Sequence, residues 1–176
     1  MTSERFQIRR ATVADIEILA RHRVGMFRDM GRLQTEQVQP LVDLTRTYLE
    51  RALPQEEYVG WLAGLAESPD RIVAGAGAQV RRVLPFPGRG DRAPHVAFGR
   101  EAIVMNVYTE PACRRQGLAR ALMHEILGWA RAVKLDSLVL HAAPDGRALY
   151  EALGFAATNE MRFMGDLVTW RQPVET

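Results

Sequence analysis

Ala102-Ile-Val-Met-Asn-Val-Tyr108, followed by Thr109-Glu-Pro-Ala-Cys-Arg-Arg-Gln-Gly-Leu-Ala119, is the stretch whose reading decides the fold. The first segment is almost wholly apolar and short, which reads as a buried strand. Beyond it, Leu118, Leu122, Ile126 and Ala130, with Ala119 and Met123 beside them, recur at helical spacing and predict a helix from Leu118 to Val133. Between the two lies a basic, glycine-containing turn. A strand that passes through such a turn into a helix N-terminus directs several unpaired backbone N–H groups and a positive dipole end at one point. That arrangement suits a pyrophosphate.

Two familiar phosphate loops fail on spacing. The chain holds no Gly-x-x-x-x-Gly-Lys-Ser/Thr run. Its nearest approach to a dinucleotide fingerprint, Gly75-Ala-Gly77, continues through Ala78-Gln79-Val80 as a strand rather than opening a helix. The pattern that fits is Arg-x-x-Gly-x-Ala, in Arg114-Arg115-Gln116-Gly117-Leu118-Ala119. It resembles the pyrophosphate motif of the GCN5-related N-acetyltransferases, with Pro111 three residues before Arg114 where that family often has Pro. A helix and a strand downstream, Leu149-Tyr-Glu-Ala-Leu-Gly-Phe155 is similar to the family's second signature, Leu-Tyr-x-x-x-Gly-Phe.

Outward from this centre the elements are short and alternate in type. Phe6 to Arg9 reads as a first strand. Thr12 or Asp15 caps a helix bearing Ile16, Leu19, Ala20, Arg23 and Phe27, closed by Gly31. A second helix is expected from Thr35 to Leu53, interrupted near Pro40 and stopped at Pro54. Glu57 to Ala63 fits a helix after Pro54 or a strand, and the strand is preferred because Ser68 to Arg71 reads as a turn into Ile72 to Leu84, a long strand. Pro85 to Gly99, rich in Pro and Gly, is expected to be a mobile hairpin loop. Ser137 to His141 is a strand, Asp145 to Gly154 a short helix, and Phe155 and Met161 to Met164 supply the last strands. The expectation is one domain over residues 1–176, an α/β fold whose mixed, twisted sheet of six to seven strands is flanked by about four helices.

Composition narrows the class. A 176-residue chain is long enough for a substantial core, and no apolar run reaches membrane-spanning length. Met1 to Ile8 lacks an apolar signal region, and the single cysteine, Cys113, excludes an internal disulfide framework; both fit a cytoplasmic protein. A formal charge of +2, without a basic stripe interleaved with aromatics, argues against nucleic acid as a partner. His124-Glu125 lacks the second His of a zinc-protease motif, and no cluster has metal-ligand spacing, so no metal is expected. His22 and His124 read as surface or packing residues.

The resemblance implies acetyl-CoA as co-substrate and a primary amine, of a small molecule or a protein, as acceptor, with direct transfer in a ternary complex. It implies that the backbone of Arg115, Gln116, Gly117, Leu118, Ala119 and Arg120 holds the pyrophosphate, and that Arg114, Arg115 and Arg120 face this anionic cofactor. The preceding strand would carry a bulge and part from the strand ending at His141, so that Val107 and Tyr108 pair with the pantetheine arm and the thioester carbonyl meets an N–H near Val107. Asn106 sits where the bulge would fall, either for direct contact or as ordinary turn chemistry. Tyr150 would protonate the departing thiolate, or pack its helix onto the sheet.

The general base is open. Glu101 shares a strand face with Ile103, Met105 and Val107 by period two. The position most like the family's usual Glu is Ile103, and Ala143 stands where many relatives have Asn. Glu101 acting through water, a solvated strand-end carboxylate, and deprotonation directly to water are the readings. Phe27, Met30, Gly31, Arg32 and Leu33, with the Pro85 to Gly99 loop, would border the acceptor. A non-catalytic acyl-CoA sensor on the same fold is the alternative. Homodimers are common in the family. Phe163, Leu167, Val168 and Trp170 would form such a contact or simply cover the sheet.

Overall fold

The computed structural model describes residues 5–88, 94–158 and 160–163. Its contacts divide the chain into two compact units, Met1–His141 and Ala142–Thr176.

The first unit carries strands β1 (Phe6–Arg10), β2 (Tyr58–Leu65), β3 (Ser68–Arg82), β6 (Arg100–Thr109) and β7 (Ser137–Leu140) in one five-stranded sheet of order β1-β2-β3-β6-β7. All neighbours are antiparallel except β6 and β7, which are parallel. Helices α1 (Ile16–Asp29) and α2 (Val38–Ala52) cover one face, where Ile16, Leu19, Leu49 and Ala52 pack with Tyr58, Leu62 and Ile72 of the sheet. Helix α3 (Leu118–Ala132) covers the other, and its Trp129 meets Trp61 of β2 edge-on at 5.5 Å. Period-two alternation along β2 explains the split, Tyr58 and Leu62 pointing one way and Trp61 the other. The buried stripe of α3 is Leu118, Leu122, Met123, Ile126 and Ala130, as its periodicity predicts.

Among the described residues the sheet has five strands, fewer than the six to seven expected. Strands β4 (Phe86–Pro87) and β5 (Val96–Ala97) form a separate two-stranded ribbon inside the expected loop, whose residues 89–93 lie outside the described residues. Phe155 and residues 161–163 are not in strands; Met164, Leu167, Val168 and Trp170 lie outside the described residues, and Phe163 is exposed.

Two boundaries differ for identifiable reasons. Pro40 does not interrupt α2. It falls in the first helical turn, where its missing N–H has no intrahelical acceptor to lose. The turn after β2 is Ala66–Glu67, and Ser68 to Arg71 already belongs to β3. There the register steps from Gly64↔Ile72 to Leu65↔Ser68, a bulge that lays the Pro69 carbonyl over Gly64; a Cβ on Gly64 would sit 2.1 Å from that oxygen.

Helix α1 ends in a Schellman cap. Gly31 has φ 63°, its N–H donates to Arg28 O, and Arg32 N–H donates to Phe27 O. The second unit holds α4 (Arg147–Ala152) and repeats this closure: Gly154 has φ 90°, its N–H donates to Glu151 O, and Phe155 N–H donates to Tyr150 O. The Tyr150 and Phe155 rings meet edge-on at 6.1 Å, the apolar contact that completes such a cap. Tyr-x-x-x-Gly-Phe is therefore a helix-stop in its own right, which explains why Phe155 starts no strand. Among the described residues, no helix is long and apolar enough to cross a membrane.

Candidate active site

The C-terminal half of β6 departs from regular sheet. Pairing with β7 runs from Glu101↔Ser137 to Val104↔Leu140 and stops, while β6 continues to Thr109. On its other edge, β3 skips a step. Gly77 pairs Met105 and Gly75 pairs Tyr108, so Asn106 and Val107 together oppose Ala76. Asn106 takes the left-handed conformation with φ 57°, which Asn tolerates better than most residues. The strand thus parts from β7 and bulges where the sequence reading placed both events.

A buried polar chain holds the bulge. Asn106 is 8% exposed, its Oδ1 accepts from Arg23 Nη1 at 2.6 Å, and its Nδ2 donates to the Tyr58 hydroxyl at 3.1 Å. Tyr58 is fully buried, and burial pushes its pKa up, so the phenol stays protonated. Its ring lies over Gly77, where a Cβ would stand 2.0 Å from the hydroxyl. Arg23 is half-buried and stacks on Phe27, 4.9 Å from the ring centroid. Burial pulls its pKa down from the ordinary value, opposed only by the nearby phenols of Tyr58 and Tyr48.

The bulge also corrects the face assignment. Glu101, Ile103 and Met105 share a face, but the extra residue resets the alternation, and Tyr108 rather than Val107 turns back to α1. The Tyr108 ring rests on His22 at 5.2 Å and on Gly25, where a Cβ would lie 2.7 Å from the phenol. His22 is 2% exposed with neither ring nitrogen hydrogen-bonded, and burial lowers its pKa to about 4, so it is neutral near pH 7. It is a packing residue, as expected; His124 is exposed.

Glu101 sits far from the bulge. It pairs with Arg81, its register partner in β3, and five residues at strand rise separate it from Asn106 by roughly 16 Å. Neither a base beside the bulge nor a solvated carboxylate describes it, because its side chain is ion-paired and 12% exposed.

After Thr109 the chain makes a short turn of 3-10 helix at Pro111–Cys113 and enters the basic loop. Arg115 and Gly117 adopt φ 61° and 83°, and Gly117 caps α3. The first amide beyond Arg114 to donate to a backbone carbonyl is that of Ala121, to Gly117 O at 3.0 Å. The amides of Arg115, Gln116, Gly117, Leu118, Ala119 and Arg120 precede it, at the positive end of the α3 dipole. The Arg115 and Arg120 side chains are exposed. Arg114 is otherwise engaged: its Nε donates to Thr109 O at 3.0 Å, Nη2 pairs with Asp29 at the end of α1, and its guanidinium lies over the Tyr108 ring. Its side chain braces the turn rather than facing an anion. Cys113 is half-buried.

On the acceptor side, Phe27 is half-buried with the Arg32 guanidinium 5.7 Å from its ring, and Met30 is exposed. In the second unit, Tyr150 is half-buried, and burial pushes its pKa up, keeping a proton on the phenol.

Sequence reasoning missed Arg23, Tyr58 and Asp29 as parts of this arrangement. It also missed the glycines beneath it, although Gly25 in a helix interior and Gly75 and Gly77 alternating in a strand are signs of close approach.

Comparison with known proteins agrees with this geometry. The model of the acetyltransferase (GNAT) family matches residues 27–155. A GCN5-related N-acetyltransferase from Ralstonia eutropha JMP134 superposes with a TM-score of 0.77 at 26% identity, covering 90% of this chain and 97% of that one. A predicted acetyltransferase of Clostridium acetobutylicum, solved with acetyl-CoA, superposes with a TM-score of 0.73 at 24% identity, covering 91% and 96%. A curated relative, the chloroplastic serotonin N-acetyltransferase 2 of Oryza sativa subsp. japonica, is 35% identical over 68 residues. That match takes in 35% of this chain and 34% of the relative, about a third of its length.

Proposed function

The chain belongs to the acetyltransferase (GNAT) family, and from that premise we propose that it moves the acetyl group of acetyl-CoA to a primary amine by direct attack in a ternary complex. One observation carries the reading. A strand that has left its parallel neighbour is locked in a bulge and leads, through the short 3-10 turn, into a loop whose amides from Arg115 to Arg120 donate to no backbone carbonyl among the described residues.

Each part has a role in this reaction. The amides from Arg115 to Arg120 hold the pyrophosphate, with the Arg115 and Arg120 side chains adding positive charge. The free edge of Met105 to Thr109 pairs with the amide-bearing pantetheine arm as an added strand would. The Val107 N–H donates to the thioester carbonyl, where negative charge builds as nitrogen attacks. Bound acetyl-CoA supplies the activated acyl group. The ammonium first loses one proton to water, the freed nitrogen forms the new N–C bond, the C–S bond breaks, the Tyr150 hydroxyl gives its proton to the thiolate, and the second proton shed by nitrogen returns to the Tyr150 phenolate through water. Glu101 has no part in this scheme.

A second reading, an acyl-CoA sensor without turnover, draws on Ile103 and the ion-paired Glu101, which leave no carboxylate to serve as base. The two separate by experiment. Acetyl-CoA should raise the melting temperature with concentration, and the protein should then release free thiol in the presence of some member of an amine panel. Tyr150→Phe keeps the ring that closes α4 and removes only the hydroxyl. It should lower kcat at least tenfold while leaving the acetyl-CoA shift intact. Binding without transfer to any amine favours the sensor, and an unchanged kcat in the variant removes Tyr150 from the mechanism.

A further inference from the structure

Several arginines of this fold are ion-paired. Arg9 holds Asp15, Arg46 holds Glu17 and Asp43, Arg81 holds Glu101, and Arg114 holds Asp29. Among the described residues, the other arginines without a carboxylate partner are exposed, and Arg23 differs from them in its burial. It is half-buried, and among the described residues no carboxylate lies within ion-pairing distance. Taking a guanidinium out of water without a counter-charge is unfavourable, and the neutral Asn106 amide offsets only part of that. Arg32, on the same Phe27 ring, also lacks a carboxylate partner among the described residues, and the nearby acid, Asp29, is taken by Arg114. Among the described residues, the Phe27 ring therefore carries two guanidinium groups without a carboxylate partner.

Its position gives this charge a use. Asn106 fixes one Arg23 nitrogen, and Phe27 fixes the plane of the guanidinium, which leaves donors directed by neighbours rather than by solvent. Asn106 adjoins Val107, whose N–H the acetyl-transfer reading assigns to the thioester carbonyl. An amine attacking there would react one residue from the Asn106 that Arg23 holds.

We propose that the acceptor is an amine bearing a carboxylate a few bonds from its nitrogen, and that Arg23, assisted by Arg32, binds that carboxylate. The inference rests on the acetyl-transfer reading and names the substrate class of the same site. A fork of N–H donors matches a carboxylate bidentately, and a hydrogen-bonded ion pair in a partly dry site discriminates by roughly ten- to a hundredfold against an analogue lacking the anion. A simple arylalkylamine has nothing to offer Arg23.

The test uses matched acceptors: phenylalanine, phenethylamine and phenylalanine amide; tryptophan, tryptamine and tryptophan amide; β-alanine and propylamine; and 4-aminobutyrate and butylamine. Thiol release gives kcat and KM for each with the intact protein and with Arg23→Gln and Arg23→Lys. At least one carboxylated amine should exceed its decarboxylated and amide partners tenfold or more in kcat/KM. Arg23→Gln should bring the ratio near unity through KM, with Arg23→Lys between. Because Arg23 also holds Asn106, a disturbed bulge would lower both members of a pair together, and the ratio reports carboxylate recognition alone. A thermal shift with acetyl-CoA separates the two levels. No shift overturns the acetyl-transfer reading itself. A shift combined with equal use of both partners, with use of neither, or with a preference that survives Arg23→Gln overturns the carboxylate inference alone.

Discussion

From Arg100 to Val104, β6 is paired on both edges, antiparallel to β3 and parallel to β7, and Ala102, Ile103 and Val104 are buried. From Met105 to Thr109 the same strand keeps only β3, carries a left-handed Asn106 and replaces an apolar filling with Asn106, Arg23 and Tyr58 joined by hydrogen bonds. The first half gains stability from burial and a complete ladder. The second gives up one ladder edge, which leaves N–H and C=O groups without sheet partners, and it needs a buried polar chain to hold the irregular backbone in place. An open edge made this way is held in shape by residues outside the strand.

One substitution placed in each half tests this contrast most strongly. Val104→Asp buries a carboxylate between two neighbouring strands and should cost several kcal/mol, enough to abolish a cooperative melt. Val107→Asp, three residues on and half-buried at the free edge, should cost about 1 kcal/mol or less in stability but remove the acetyl-CoA-induced shift. Equal melting temperatures for the two variants would mean that the halves do not differ as described.

A smaller effect comes from the chain that holds the bulge. Asn106→Ala leaves the Arg23 guanidinium and the Tyr58 hydroxyl short of a buried partner and places Ala at positive φ, for a loss of about 2–4 kcal/mol by denaturant titration. Asn106→Gly relieves the backbone strain and should recover about 1 kcal/mol of that. If the two variants are equally stable, backbone conformation contributes nothing at this site.

The smallest effect is a pH dependence carried by His22, packed against Tyr108 in the irregular half. Its folded pKa, about 4, lies below the ordinary 6.5, so the unfolded chain binds a proton that the folded one refuses. Stability is full above pH 6.5 and falls as the pH drops through that value towards 4, by about 2 kcal/mol between pH 7 and 5. Asp15 acts in a lower window. Arg9 holds its pKa at about 2, so its contribution is lost only below about pH 4. His22→Leu should flatten the profile between pH 7 and 5; a slope unchanged in that variant would assign the dependence to other groups.

The loop residues Arg115 to Arg120 and the stripe of α3 were legible because both are local: a basic glycine turn and a helical period are written within a few residues of one another. The bulge at Asn106 was legible only through the family pattern. Nothing in Met105-Asn106-Val107 by itself distinguishes a bulge from the end of a strand. Val107 shows the limit of period-two reasoning, which is valid until one residue is added and every later side chain changes face.

By itself, the sequence determined the glycine-containing turn before α3, the helix ends at Gly31 and Gly154, and the alternation of strands and helices, since backbone conformation and amphipathic spacing are properties of neighbouring residues. Only the tertiary structure decided that Arg23 meets Asn106 across 83 residues, that Tyr58 meets it across 48, and that Arg114 meets Asp29 across 85. Those meetings depend on sheet register and on how closely α1 can approach over glycines. Both are set by packing many elements at once, which no local pattern encodes.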